Sequence, residues 1–171
     1  VSMGGMIAQY LAIDFPEFVE KLVLAVTLAR PNDTVKERCE TWINSAEEKD
    51  YQSIMKDSAL YSYSDEYLRK NKMMLNVISK VGAPKSFDRF ITFSKACTTH
   101  NAYEKLEKIT CPTLVIGGMQ DKIVTYEASE EIASKIPNAK LKTYEKFGHA
   151  AYEEAKDFNT AVYEFCCGDK M

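Results

Sequence analysis

Val1-Ser2-Met3-Gly4-Gly5 runs directly into Met6-Ile7-Ala8-Gln9-Tyr10-Leu11-Ala12, and this opening stretch decides how the rest of the chain is read. The second part reads as an amphipathic helix. A serine followed two residues later by glycine, just ahead of a helix, is the back half of a G-x-S-x-G nucleophile elbow. The sharp turn lifts the hydroxyl clear of the backbone, and small neighbours let strand and helix come close enough to make it. The front half of the motif is absent, because the chain begins one residue before the serine. The expectation is therefore the C-terminal part of a longer protein, starting at its catalytic turn.

Two later segments give this short signal its weight. Ile109-Thr110-Cys111-Pro112-Thr113-Leu114-Val115-Ile116-Gly117-Gly118 is a β-branched run entered through proline and closed by glycines, the pattern of a buried parallel strand. Asp121 follows it closely. A further strand, Lys140 to Tyr144, leads to Phe147-Gly148-His149-Ala150-Ala151. Serine, aspartate and histidine thus occur in that order, each just past a predicted strand end.

Val1 to Ala12, Cys111 to Val124 and Lys140 to Glu153 together resemble the α/β-hydrolase family, whose triad has this chain order. Within it they are most similar to small bacterial esterases and enol-lactonase-like members with an inserted helical cap. The resemblance implies Ser2 as nucleophile, Asp121 as the acid and His149 as the base. It also implies that the elbow's first glycine, the first five strands and the loop carrying one oxyanion-hole donor lie outside this sequence. The isolated chain is accordingly expected to be inactive. Some members place the acid after the strand that follows the elbow, where Asp33 stands; Gly118-x-x-Asp121-x-x-Val124 favours Asp121.

Composition fits one compact domain. The chain has 171 residues, 46% hydrophobic and 27% charged, with a formal charge of −3. That charge, with no Lys/Arg block, speaks against a nucleic-acid partner. No apolar run reaches the length of a membrane span, so no membrane partner is expected. The five cysteines lack C-x-x-C spacing and read as reduced, which fits the cytoplasm. No cofactor is implied, and two distant histidines give no metal site. The partner expected is a small-molecule substrate. Oligomeric state is left open.

The fold class expected is α/β: the C-terminal portion of an α/β-hydrolase fold, with parallel strands near Leu22, Leu114 and Leu141, flanking helices and an all-helical cap. Core is assigned to residues 1–31 and 102–171, and the cap to 32–101. Val19 to Val26 reads as the first strand. From Thr34 to Asn101 strand-like runs vanish. Thr34 with Glu37 has capping-box spacing, Asp50 caps a second helix, Ser64 opens a long one ending at Gly82-Ala83-Pro84, and Ser86 opens the last. An insertion there covers the strand ends and supplies pocket walls, for which Trp42, Met73, Phe87 and Phe90 are the candidates. His100 reads as a solvated loop residue.

The chemistry follows from residue type. Serine needs a base within hydrogen-bond reach, and His149 has small neighbours that leave its ring room. Asp121 would fix the imidazole tautomer and stabilise the imidazolium. The Met3 backbone N–H, at the helix start, would be one oxyanion donor. The leading expectation is a serine hydrolase cleaving a small, largely apolar carboxylic ester or lactone through an acyl-enzyme. The alternatives are a C–C hydrolase, an acyltransferase or a perhydrolase/haloperoxidase-like enzyme on the same triad, or a non-catalytic binding protein of the same fold.

Overall fold

The computed structural model describes residues 1–168. The last three residues of the stretch assigned to the core, 169–171, lie outside the described residues. The chain begins with helix α1 (Met3–Asp14), a 3-10 turn (Pro16–Phe18) and strand β1 (Leu22–Ala25). Helices α2 (Asp33–Glu47), α3 (Tyr51–Ser62), α4 (Asp65–Lys70), α5 (Lys72–Ile78) and α6 (Asp88–Thr99) follow. A second 3-10 segment (Tyr103–Lys108) leads to β2 (Thr113–Gly118), α7 (Tyr126–Lys135), β3 (Ala139–Tyr144), α8 (Ala151–Glu154) and α9 (Phe158–Cys167).

The three strands form one parallel sheet in the order β1-β2-β3, with Leu24 opposite Val115 and Val115 opposite Leu141. The strands near Leu22, Leu114 and Leu141 are therefore as expected. β1 is shorter than the predicted Val19–Val26, because Pro16 opens a 3-10 turn that delays extended pairing until Leu22.

All six residues of β2 are buried, as befits a central parallel strand covered on both faces. Its side chains alternate between two layers. Val115 joins Ala12, Ile13, Leu24 and Ile132 beneath α1 and α7, while Leu114 and Ile116 join Ala25, Tyr144 and Phe158 beneath α8 and α9. Burial of each large aliphatic side chain here contributes about 1.5–3 kcal/mol. β3 lies at the sheet's other edge and is largely exposed along its length.

A third cluster matters most for the site. Met6 of α1, Leu28 after β1, Val35 and Cys39 of α2, and Ile123 and Val124 after β2 pack together, with Met3, Trp42 and Tyr61 against them. It fastens the elbow helix, the Asp121 loop and two helices of the insertion to one another.

Four local readings need correction. α1 is apolar on both sides rather than amphipathic: Met6, Ala12 and Ile13 are buried, yet Ile7 and Leu11 are exposed. The cap of α2 is Asn32, whose side chain accepts from the Val35 N–H and donates to the Val124 carbonyl, which fixes the helix start ahead of Thr34. The long helix expected after Ser64 breaks at Asn71, whose side chain bonds back to the Tyr67 carbonyl and ends α4. His100 is buried: its ring packs edge-on against Tyr10 and its Nε2 lies 3.4 Å from Gln9 Oε1, because the end of α6 docks on α1. Asp50 and Ser64 do cap their helices, accepting from the Ser53 and Tyr67 N–H groups.

Candidate active site

Ser2 sits at the entry to α1 with φ 50° and ψ −127°, a backbone conformation that costs a non-glycine residue about 1–3 kcal/mol. Three contacts hold it there. Its N–H donates to the Ala25 carbonyl at 2.9 Å, tying the turn to the end of β1. Its carbonyl accepts from the Gly5 N–H at 2.8 Å and from the buried Thr27 hydroxyl at 2.7 Å. Gly5 is required by packing, since a Cβ there would lie 2.7 Å from the Thr27 side chain.

The acid loop leaves β2 through Gly117-Gly118. Asp121 Oδ1 accepts the N–H groups of Ile123 (2.8 Å) and Val124 (3.0 Å), which fold the loop and aim Oδ2 inward. At the far end of the loop, Thr125 carries φ 67° and makes no side-chain cap bond to α7. The base loop leaves β3 and crosses directly over the acid loop. Met119 N–H donates to the Tyr144 carbonyl and Gln120 N–H to the Phe147 carbonyl, at 2.9 and 3.1 Å. Gly118 and Gly148 permit this crossing: a Cβ on Gly118 would meet the Gly148 oxygen at 2.4 Å.

The three side chains converge. His149 Nδ1 lies 2.8 Å from Asp121 Oδ2, and His149 Nε2 lies 3.0 Å from Ser2 Oγ. The Asp121 side chain is 1% exposed and that of His149 is 9% exposed, so this chain of contacts is shielded from water up to the serine. Neutral histidine with Nδ1–H facing the carboxylate leaves Nε2 free to accept the serine proton. Asp33 is far from this role: its side chain is fully solvated and pairs with Lys36. At the start of α1, the Met3 N–H has no hydrogen-bond partner among the described residues and points to the positive end of the helix.

The expected pocket residues are dispersed. Trp42 is half-buried against the cluster that contains Met6, Ile123 and Val124, with Nε1 donating to Asp57 at 2.7 Å. Met73 is 83% exposed, and it borders an outer cleft with Arg69, Lys70, Lys72 and Asn76 that contains no triad residue. Phe87 and Phe90 are half-buried at the start of α6. A groove of about 480 Å³ at Met3 is lined by Met6, Ile7, Tyr10, Phe93, Ala96, Thr99 and His100; it too contains no triad residue, and only Met3 links it to Ser2 along the chain. Sequence reading overlooked Thr27 and Ser62. Thr27 sits in an unremarkable post-strand segment, and the Ser62 carbonyl accepts the Ala150 N–H at 2.8 Å, linking α3 to the base loop. Among the described residues no group of three or more His, Cys, Asp or Glu side chains is placed to hold a metal ion.

A family model described as the alpha/beta hydrolase fold matches residues 1–156. The chain belongs to the α/β-hydrolase family. Among its curated relatives, 3-oxoadipate enol-lactonase 2 of Acinetobacter baylyi is 25% identical over 95% of this chain and 60% of its own length. A 2-hydroxy-6-oxononadienedioate/2-hydroxy-6-oxononatrienedioate hydrolase of a Pseudomonas species is 27% identical over 96% of this chain and 60% of its own. An α/β-hydrolase enzyme from a Medee basin deep-sea metagenome library superposes with a TM-score of 0.87 at 24% identity, covering 99% of this chain and 64% of that one. These α/β-hydrolase relatives are hydrolases by name. The chain spans about three-fifths of the length of the curated relatives it matches. Among the described residues, no helix is long and apolar enough to cross a membrane.

Proposed function

We propose that this chain carries the catalytic triad of a serine hydrolase acting on a small, largely apolar carboxylic ester or lactone. The observation that carries the reading is the unbroken relay from Asp121 Oδ2 through His149 to Ser2 Oγ, at 2.8 and 3.0 Å. His149 Nε2 takes the Ser2 proton as Oγ attacks the acyl carbon. Asp121 holds the ring and stabilises the imidazolium that results. The developing oxyanion is met by the Met3 N–H at the helix start. His149 then returns the proton to the leaving alkoxide, and in the second half-reaction it activates water to release the acid. The apolar side chains of Met3 and Met6 next to Ser2 in the chain support an acyl or ring substrate with few hydroxyls. The enol-lactonase among the relatives supports an ester or lactone bond as the one cleaved.

The test, made in the longer protein that the sequence reading implies, is labelling with a fluorophosphonate probe together with hydrolysis of p-nitrophenyl acetate and of a small lactone. Ser2→Ala should abolish labelling. Ser2→Ala and His149→Ala should each lower turnover by several orders of magnitude, on the order of 10³–10⁶. Unchanged labelling in Ser2→Ala overturns the assignment of the nucleophile, unchanged hydrolysis in both variants removes the triad from the reaction, and absence of labelling and hydrolysis in the unsubstituted protein favours a binding protein of this fold.

A further inference from the structure

The cap carries a second cavity, remote from the relay. Between α3 and the α4–α5 pair lies a groove of about 550 Å³ lined by Met55, Ala59, Leu60, Leu68 and Leu75. This volume falls within the range of small-molecule sites. Its apolar lining is entirely aliphatic: no aromatic ring and no hydroxyl faces it, and besides three cations Asn76 is its one polar side chain. None of Ser2, Asp121 and His149 touches it.

Three cations ring the groove. Lys56 stands on α3, Arg69 on α4 and Lys72 on α5. None of them forms an ion pair with a carboxylate among the described residues, whereas neighbouring Lys70 is paired with Glu66. The surrounding sequence is locally basic in a chain of net charge −3: Arg69, Lys70, Lys72, Lys80 and Lys85 occur between Tyr67 and Phe87, with no Asp or Glu.

We propose that this groove binds a monomeric long-chain aliphatic carboxylate, its tail among the leucines and methionine and its head at Arg69 and Lys72. The aliphatic walls select a flexible hydrocarbon tail over a ring or a sugar. The unpaired cations select an anionic head, and the planar guanidinium fork of Arg69 matches a carboxylate in two parallel hydrogen bonds. The site goes beyond the hydrolytic reading and does not depend on it. It shares α3 with the base loop, however, because the last residue of that helix holds the Ala150 N–H.

The experiment is isothermal titration calorimetry of the longer protein that the sequence reading implies with sodium dodecanoate, kept below its micelle-forming concentration. Saturable one-to-one binding is expected, with no binding of dodecyltrimethylammonium at the same concentrations. Blocking Ser2 beforehand with a fluorophosphonate should leave dodecanoate binding unchanged. The double variant Arg69→Glu/Lys72→Glu, confined to exposed side chains and checked by its melting curve, should weaken binding at least tenfold. Leu75→Asn provides an independent variant on the apolar wall and should also weaken it. Equal binding of the cationic amphiphile, loss of binding on blocking Ser2, or indifference to both variants would each overturn the proposal. Heat on mixing with phosphatidylglycerol vesicles, but none with monomeric dodecanoate, would overturn it in favour of a membrane-facing patch.

Discussion

The Thr27 hydroxyl donates to the carbonyl oxygen of Ser2 at 2.7 Å, across a contact that leaves no room for a Cβ on Gly5. This buried threonine stands two residues beyond the end of β1, so the elbow is braced by the strand next to it in the sheet. Val26, between them, takes φ 44° with its N–H bonded to the Ile116 carbonyl at 2.8 Å. Strain at Ser2 is therefore matched by strain in its support, and both are held by main-chain hydrogen bonds to the sheet.

The two neighbouring glycines of the elbow should behave oppositely. Gly5→Ala forces its methyl against Thr27, displaces the bond to Ser2, and should destabilise the fold by about 1–3 kcal/mol while suppressing fluorophosphonate labelling. Gly4 has open space around its Cβ position and lies within α1, so Gly4→Ala should be neutral or stabilising by up to about 1 kcal/mol. Thermal melts of both variants, with the probe assay alongside, check the contrast.

Asp121→Asn is the sharper test of the acid. The amide oxygen can still accept from Ile123 and Val124, so the loop should survive. The group facing His149 Nδ1 becomes a donor and imposes the wrong tautomer, for which a loss of about 10⁴ in kcat is expected by analogy with serine proteases. Asp33→Asn, at a solvated position, should leave turnover unchanged. Ester hydrolysis rates for the two asparagine variants, with circular dichroism to verify folding, decide between the positions.

Much of this site was legible from residue type and order. Proline and glycine punctuation around Thr113–Gly118 located the central strand, and the serine, aspartate and histidine were placed by the turns that follow strand ends. What escaped was set by tertiary contact. His100 carries no sequence mark of burial, because its environment comes from α1 packing on the end of α6. The break at Asn71 depends on a side-chain bond to the Tyr67 carbonyl that competes with helix continuation. Met73, expected as a pocket wall, lies two residues past that break and is exposed. Thr27 was invisible for a simpler reason: its hydroxyl matters only because Ser2 folds back against it from 25 residues away.

The burial of His100 has a pH consequence. Removal from water holds its pKa below the ordinary 6.5, with a smaller opposing effect from the Leu28 carbonyl. The folded protein therefore keeps the ring neutral where the unfolded chain has already taken up a proton. The unfolded state binds more protons in that window, so stability should be full above about pH 6.5 and fall as pH drops through it. Urea midpoints measured from pH 7.5 to 5 should show this slope, and His100→Gln should flatten it.

Core and rim positions should separate cleanly in stability. Ile116 is fully buried in the central strand, and Ile116→Ala should cost about 2–5 kcal/mol. Phe18, 75% exposed after the first 3-10 turn, should tolerate alanine within about 0.5 kcal/mol. Urea denaturation of the two variants under identical conditions provides the comparison.

The bond from the Ala150 N–H to the Ser62 carbonyl joins the last residue of α3 to the residue after His149. Tyr63 and Ser64, next along, reinforce the join through Glu153 and Glu154. Those contacts couple the end of α3 and the start of α4 to the loop that seats His149, so a displacement of either carries strain to the other. Under the proposed reading, the reach of the His149 ring to Ser2 is set by helices some 90 residues earlier in the chain as well as by the sheet.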